Sequence, residues 1–243
     1  MLSDVIGHLP KKKCDFVCQG YWSEIDKLLY DVNLLEKLNM NKRELIRDLI
    51  NSFAHSEPMS KVMMMAQAVS FELYNNNFSD WVRKEQRGYH NSKDEDIPQY
   101  RDIPCILRAD IFIPFRGIMT NFTIPADIIK EEHVRKFVSS VKLPQSLTEL
   151  EQIHNQNGGD EIKLGVPGSV FPVIDKYLET GNVQRAYRSL SATAPSAIIN
   201  TVKAKMLDFL SYMNRELDLD ADFRDEKIQE QLTDLFNKYI WNE

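Results

Sequence analysis

Between residues 23 and 88 the apolar positions of the chain recur at helical spacing, and from Ile103 they recur at every second position. Beyond Pro125 the two periods take turns. Ser23 reads as an N-cap ahead of the stripe Ile25, Leu28, Leu29 and Val32. Asn41 and Glu44 form a second capping pair, ahead of a helix that buries Leu45, Ile46, Leu49, Ile50 and Phe53. Behind Ser56, Pro58 at the first helical position starts a third helix, with Val62, Met65, Ala66, Val69 and Leu73 on one face. A shorter helix follows the asparagines 75–77, with Phe78, Trp81 and Val82 inward and Gly88 as its left-handed stop. The charged run Lys93 to Asp96 is then a solvated turn, and Pro98 to Arg101 is expected to run extended.

Ile103, Cys105, Leu107, Ala109, Ile111 and Ile113 alternate with Pro104, Arg108, Asp110 and Pro114, which predicts one half-buried strand. Pro114 and Gly117 suit a hairpin link to a partner strand bearing Ile118, Phe122 and Ile124, and the prolines at both ends suggest an edge position. Pro125 opens a helix with Ile129, Val134, Phe137, Val138 and Val141, closed by Leu143 and Pro144. Ser146 and Glu149 make a capping box for the next helix, which ends at Gly158 and Gly159. Ile162, Leu164 and Val166 form a short strand, residues 170–178 a helix stopped by Gly181, and residues 183–191 a strand of imperfect alternation. Thr193 and Pro195 launch the longest helix, striped by Ile199, Val202, Met206, Phe209 and Met213. After an acidic linker, 216–222, a last helix carries Ile228, Leu232, Leu235, Phe236 and Tyr239; it can cover the core, swap onto another subunit or recruit a second protein. The pattern predicts an α+β protein, mainly helical. A small antiparallel sheet, the hairpin at about 101–124 plus one or two strands between 160 and 192, is covered by amphipathic helices on one face.

Composition narrows the setting. With 43% hydrophobic and 27% charged residues the chain is an ordinary globular sequence, and a net charge of -6 argues against nucleic-acid attraction by the whole surface. A local basic groove stays open, drawn from Arg101, Arg108, Arg116, Lys130, Arg135 and Lys142; Asp102, Asp110, Glu131 and Glu132 dilute it, so nucleic acid is not the favoured partner. No apolar run is long enough to span a bilayer and Met1 to Pro10 lacks the pattern of a signal peptide, so the cytoplasm is the expected location. Cys14, Cys18 and Cys105 fit free thiols. Cys14 and Cys18, even with His8, find no second nearby Cys/His pair, so no metal is expected. Phosphate loops and dinucleotide fingerprints are absent, and no cofactor is expected.

Residues 1–22 show no strong period and read as an arm, either a partner-binding tail or a leader packed on the body. Met63, Met64 and Met65 sweep about 300° of a helix, so Met63 or Met64 is expected at the surface or against a second subunit. A homo-oligomer is the corresponding expectation.

The polar residues of the central stretch gather into one constellation. Trp81, Glu85, Gly88 and Tyr89, then Pro98, Tyr100 and Arg101, form a W-x-x-x-E-x-x-G-Y…P-x-Y-R pattern. It resembles the core of the AbiTii family, a group of bacterial abortive-infection proteins. Residues 141–153 look like the family's proline-entered helix, and residues 197–217 are similar to its long C-terminal helix. On this resemblance the chain divides into an N-terminal arm and helix (1–42), an AbiTii-like domain (43–217) and a C-terminal linker and helix (218–243). The resemblance implies antiphage defence in bacteria and brings no assigned catalytic residue. Glu85 lies one turn beyond Trp81 on the same helix face. Two readings follow. The seven pattern residues are a satisfied structural tie in an effector, or effector partner, that works through protein contacts with a second copy or a second defence protein. Alternatively Glu85, His90, Tyr100 and Arg101 serve a toxic nuclease acting on RNA or tRNA. His133 and His154 sit within amphipathic helices and are expected at the boundary between buried and exposed faces, not as ligands.

Overall fold

The computed structural model describes residues 42–156 and 159–241. The expected helix at 23–32, the arm with His8, Cys14 and Cys18, and the Asn41 cap all lie outside the described residues. Three helices open the fold: α1 (Lys42–Ala54), α2 (Met59–Glu72) and α3 (Asn76–Arg87). Two 3-10 turns, Asp94–Asp96 and Gln99–Arg101, lead into β1 (Asp102–Pro104), β2 (Ile106–Ile113) and β3 (Gly117–Ile124). Then come α4 (Glu132–Ser139), β4 (Ser140–Lys142), α5 (Leu147–Gln156), β5 (Ile162–Gly165), α6 (Phe171–Asp175) and β6 (Asn182–Leu190). The chain closes with α7 (Ala194–Glu216), α8 (Glu226–Phe236) and a π-helical turn, Asn237–Trp241. This is the mainly helical α+β architecture that the periodicity predicts.

Apolar surface is buried in two cores. The helical core joins α1, α2, α3, α5, α7 and α8, and Phe78 and Phe209 meet at its centre with ring centroids 4.7 Å apart. Leu232, Leu235 and Phe236 place α8 on this same core, so of the roles open to the last helix it takes that of a cover. The second core lies under a four-stranded antiparallel sheet of order β3-β2-β6-β5, where Leu107, Ala109, Ile111, Val183 and Ala186 face Val134, Val138 and Ile174. Among the described residues no helix is long and apolar enough to cross a membrane.

Several expectations are corrected. The strand expected from Ile103 to Ile113 is broken: β1 pairs with β4, Ile103 opposite Val141, and β2 joins the larger sheet. The crossover is pinned by Cys105, whose N–H donates to Ser139 O at 2.8 Å and whose thiol donates to Val138 O at 3.3 Å. That pairing also ends the helix expected from Pro125 to Val141. Val141 fits a helical stripe, but it is claimed by the β1 ladder, and what remains is a 3-10 turn at Ala126–Ile128 and the α-helix Glu132–Ser139. β2 is an interior strand flanked by β3 and β6; its prolines lie outside it, and the edge is β3. Of the eight residues of β3 only Ile124 is buried. Pro58 is the N-cap of α2 instead of its first residue, the helix expected over 170–178 shortens to α6, and residues 99–101 form a turn instead of extended chain. Neither Met63 nor Met64 is exposed. Enclosed by α1, α3 and α5, α2 buries Met63 and Met65 and half-buries Met64.

Candidate functional site

Helix α3 starts at Asn75, whose side-chain oxygen accepts from the N–H of Phe78 at 3.0 Å. Phe78, Trp81, Val82 and Glu85 then share its buried face, so the apolar stripe carries a carboxylate inward on its last turn. Gly88 ends the helix at φ 82° and ψ 175°. Its φ is positive, as expected for a stop, but its extended ψ sends the chain straight into Tyr89, whose N–H donates to Pro144 O at 2.6 Å. The Gln99–Arg101 turn brings Tyr100 and Arg101 to the same place from the other side.

Glu85 and Arg101 are both 0% exposed and pair at 2.6 Å, Nη2 to Oε2. The other oxygen of Glu85 accepts from two phenols, Tyr89 and Tyr100, each at 2.6 Å. Arg101 Nη1 donates to Leu143 O at 2.9 Å and Gln145 O at 2.7 Å, and its guanidinium lies 4.7 Å from the Tyr89 ring centroid. Among the described residues Arg101 Nε has no partner. Trp81 Nε1 donates to Tyr100 Oη at 3.1 Å, and Leu143 N–H returns a bond to Arg101 O at 3.0 Å. The network thus ties α3, the 99–101 turn and the 143–146 loop, which continues through the Ser146–Glu149 box into α5.

Six pattern residues, Trp81, Glu85, Gly88, Tyr89, Tyr100 and Arg101, therefore meet in space, and Pro98 shapes the turn that delivers the last two. His90 does not join them. It is exposed, with Nε2 3.4 Å from Glu149 Oε2. His133 and His154 are exposed on α4 and α5 instead of lying at a buried boundary. The basic groove that the sequence left open, though not favoured, loses three of its six members. Arg101 is buried, Arg108 pairs with Glu161 at 3.0 Å, and Lys142 donates to the carbonyls of Asp94 and Ile97. The carbonyls of residues 143–145 were not legible as part of the site; the one signal was Pro144 standing two residues before a capping box.

Burial, then the charge of Glu85, pushes the Tyr89 phenol far above its ordinary value of 10.0, and Tyr100 is raised for the same two reasons. Burial lowers the Arg101 guanidinium, but the Glu85 carboxylate outweighs that and leaves it above its ordinary value. Both phenols keep their protons in the folded state where the unfolded chain loses them, so this contribution is complete below pH 10.0 and declines above it. Urea titrations between neutral and strongly alkaline pH should show stability falling above pH 10.0, and less steeply in Tyr89→Phe.

Clefts of about 350 and 300 Å³ lie on either side of Trp81 and Trp241. The larger one is lined by Tyr100, Asp96, Asp102 and Lys142. A separate cleft of about 280 Å³ holds His90 with Arg83, Lys84 and Arg87. Among the described residues, no three His, Cys, Asp or Glu side chains are grouped as a metal site requires.

Fold and site together define a mainly helical α+β protein whose helices are fastened to its strands by a buried carboxylate–guanidinium network. A model of the AbiTii family matches residues 44–234, and the chain belongs to that family. The matched range takes in α8 almost to its end. No curated protein and no solved structure matches the chain. Membership gives the protein an abortive-infection role in antiviral defence.

Proposed function

We propose that this chain acts in bacterial antiphage defence in the cytoplasm through protein contacts, as an effector or as the partner of one, and that its family pattern is structural. One observation carries the reading: both oxygens of Glu85, itself at zero exposure, are occupied by donors from Tyr89, Tyr100 and Arg101. A carboxylate that is enclosed and accepts three hydrogen bonds from its own chain is not open to a substrate, whereas a buried polar network with nearly all of its groups paired fixes one arrangement of the elements around it.

A second reading, a nuclease acting on RNA, draws support from the cleft where His90 stands beside Arg83, Lys84 and Arg87. A cationic wall there suits phosphate, and an imidazole oriented by Glu149 suits proton transfer. The two readings separate in cells challenged with phage while phage yield and total RNA are followed. The contact reading expects phage yield to fall while total RNA stays intact, with His90→Ala protecting as well as the native chain. RNA fragmentation that disappears in His90→Ala would make the nuclease the better reading.

A further inference from the structure

The buried methionines of α2 leave the expectation of a second subunit without its original surface, and the exposed apolar surface lies elsewhere. Phe112, Phe115, Ile118, Met119, Phe122 and Ile128 are all exposed, Phe115 completely so at the tip of the β2–β3 hairpin. They surround β3, the edge strand. Their exposed surface is on the order of 600 Å², against about 800 Å² per partner in a standard interface. The opposite edge differs. β5 has four residues and carries Lys163, a charge that blunts edge pairing, while β3 has eight residues and no charged side chain.

The pattern along β3 is self-complementary. Met119 lies opposite Ile111 and Phe122 opposite Ala109, both on the covered face, whereas Ile118 lies opposite Phe112 and Thr123 opposite Arg108 on the open face. Met119 and Phe122 are three positions apart and would ordinarily point to opposite sides. They share a face because Thr120 and Asn121 together stand against Asp110 in a bulge, with Asn121 at φ 59° and its N–H on Asp110 Oδ1 at 2.9 Å.

We infer that β3 pairs antiparallel with β3 of a second copy about a twofold axis between Thr120 and Asn121, joining two four-stranded sheets into one. This register sets Met119 against Phe122 of the second copy, Ile118 against Thr123 and Gly117 against Ile124, so covered-face residues meet covered-face residues throughout. Without the bulge the same register would set the two faces against each other. Just outside the strand, Arg116 comes opposite Pro125, two residues before Asp127, so each end of the joint brings opposite charges near one another. A groove of about 290 Å³ beside the edge, walled by Met119, Phe122, Ile124, Ile128 and Leu178, continues across the axis into its counterpart. An edge strand offers its outward backbone N–H and C=O groups to a second strand, and apolar side chains on both of its faces add buried contact to that pairing.

The inference deepens the contact-based reading by naming one contact, and rests on it only for its use in defence, because mass in solution needs no phage. The test is light scattering of the purified full chain over a concentration series. The expected mass is twice the 28.3 kDa of one chain. Met119→Lys and Phe122→Glu, both at exposed positions, should each reduce it to one chain with unchanged circular dichroism. Combined in one chain they should restore the dimer, because the register sets the two introduced charges opposite each other. Ile118→Lys, on the other face of the strand, should also dissociate it and covers the case in which a covered-face variant fails to fold. A single-chain mass for the native protein throughout the series overturns the inference. So does a dimer that survives both folded single variants, and failure of the folded double variant to reassociate rejects the register.

Discussion

Arg101→Met is expected to cost about 3–5 kcal/mol of folding stability, measured as the shift in urea unfolding free energy. The substitution keeps much of the side chain's bulk but removes the charge facing Glu85 and both donors to Leu143 O and Gln145 O. Glu85, at zero exposure, then keeps two phenol donors and no counter-charge. A loss of this size is a large share of the roughly 5–15 kcal/mol that holds a domain folded, so little soluble protein should accumulate at 37 °C. Adding Glu85→Leu to Arg101→Met should recover a substantial part of the loss, because removing both charges of a buried pair costs far less than stranding one. Phage protection that returns with the recovered stability would set the tie apart from a catalytic pair, in which the second substitution restores folding but not activity.

Gly88→Ala should be the next most damaging change, at roughly 2–4 kcal/mol. A Cβ at this position would stand 2.7 Å from Pro144 O and 2.9 Å from Ser146 N, both backbone atoms of the loop that Arg101 holds. The φ of 82° adds strain for any residue with a Cβ. Relief by moving the loop would stretch the bond from Tyr89 N–H to Pro144 O and disturb the Ser146–Glu149 box, so the damage should pass into α5. Gly181→Ala offers no such coupling to the network, and thermal unfolding of the two variants side by side would show whether Gly88 matters chiefly through the tie.

The sequence carried the helical part of this fold clearly. The stripe Ile199, Val202, Met206, Phe209 and Met213 of α7 is buried as its spacing requires, because each helix packs one face on a single core. It failed where an alternating run was shared between two sheets. Ile103 and Leu107 have the same parity, yet they belong to β1 and β2, and only the long-range partner Val141 decides that. The same partner took Val141 out of a helix whose periodicity it completed. Met64 failed for a different reason: periodicity gives a helix one buried face, and α2 has neighbours on several.

The candidate site was legible as a set of residue types. Glu85 on an apolar helix face and Arg101 beside Tyr100 announced an inward ion pair, and the Tyr89 bond follows from the stop at Gly88. The loop carbonyls that complete the coordination of Arg101 carry no side-chain signature, so the chain's pattern could not disclose them. His90 was adjacent in sequence but separated in space, because the turn at Gly88 directs Tyr89 inward and leaves the next residue in solvent.

Glu85→Gln tests the central claim most directly, scored for thermal unfolding midpoint and for phage protection in the same strain over a range of growth temperatures. A structural tie predicts a lowered midpoint, with protection lost at high temperature and regained where the variant is folded. A Glu85→Gln protein that unfolds at the native temperature yet protects at none of them would contradict the account and return Glu85 to the chemistry of a catalytic site.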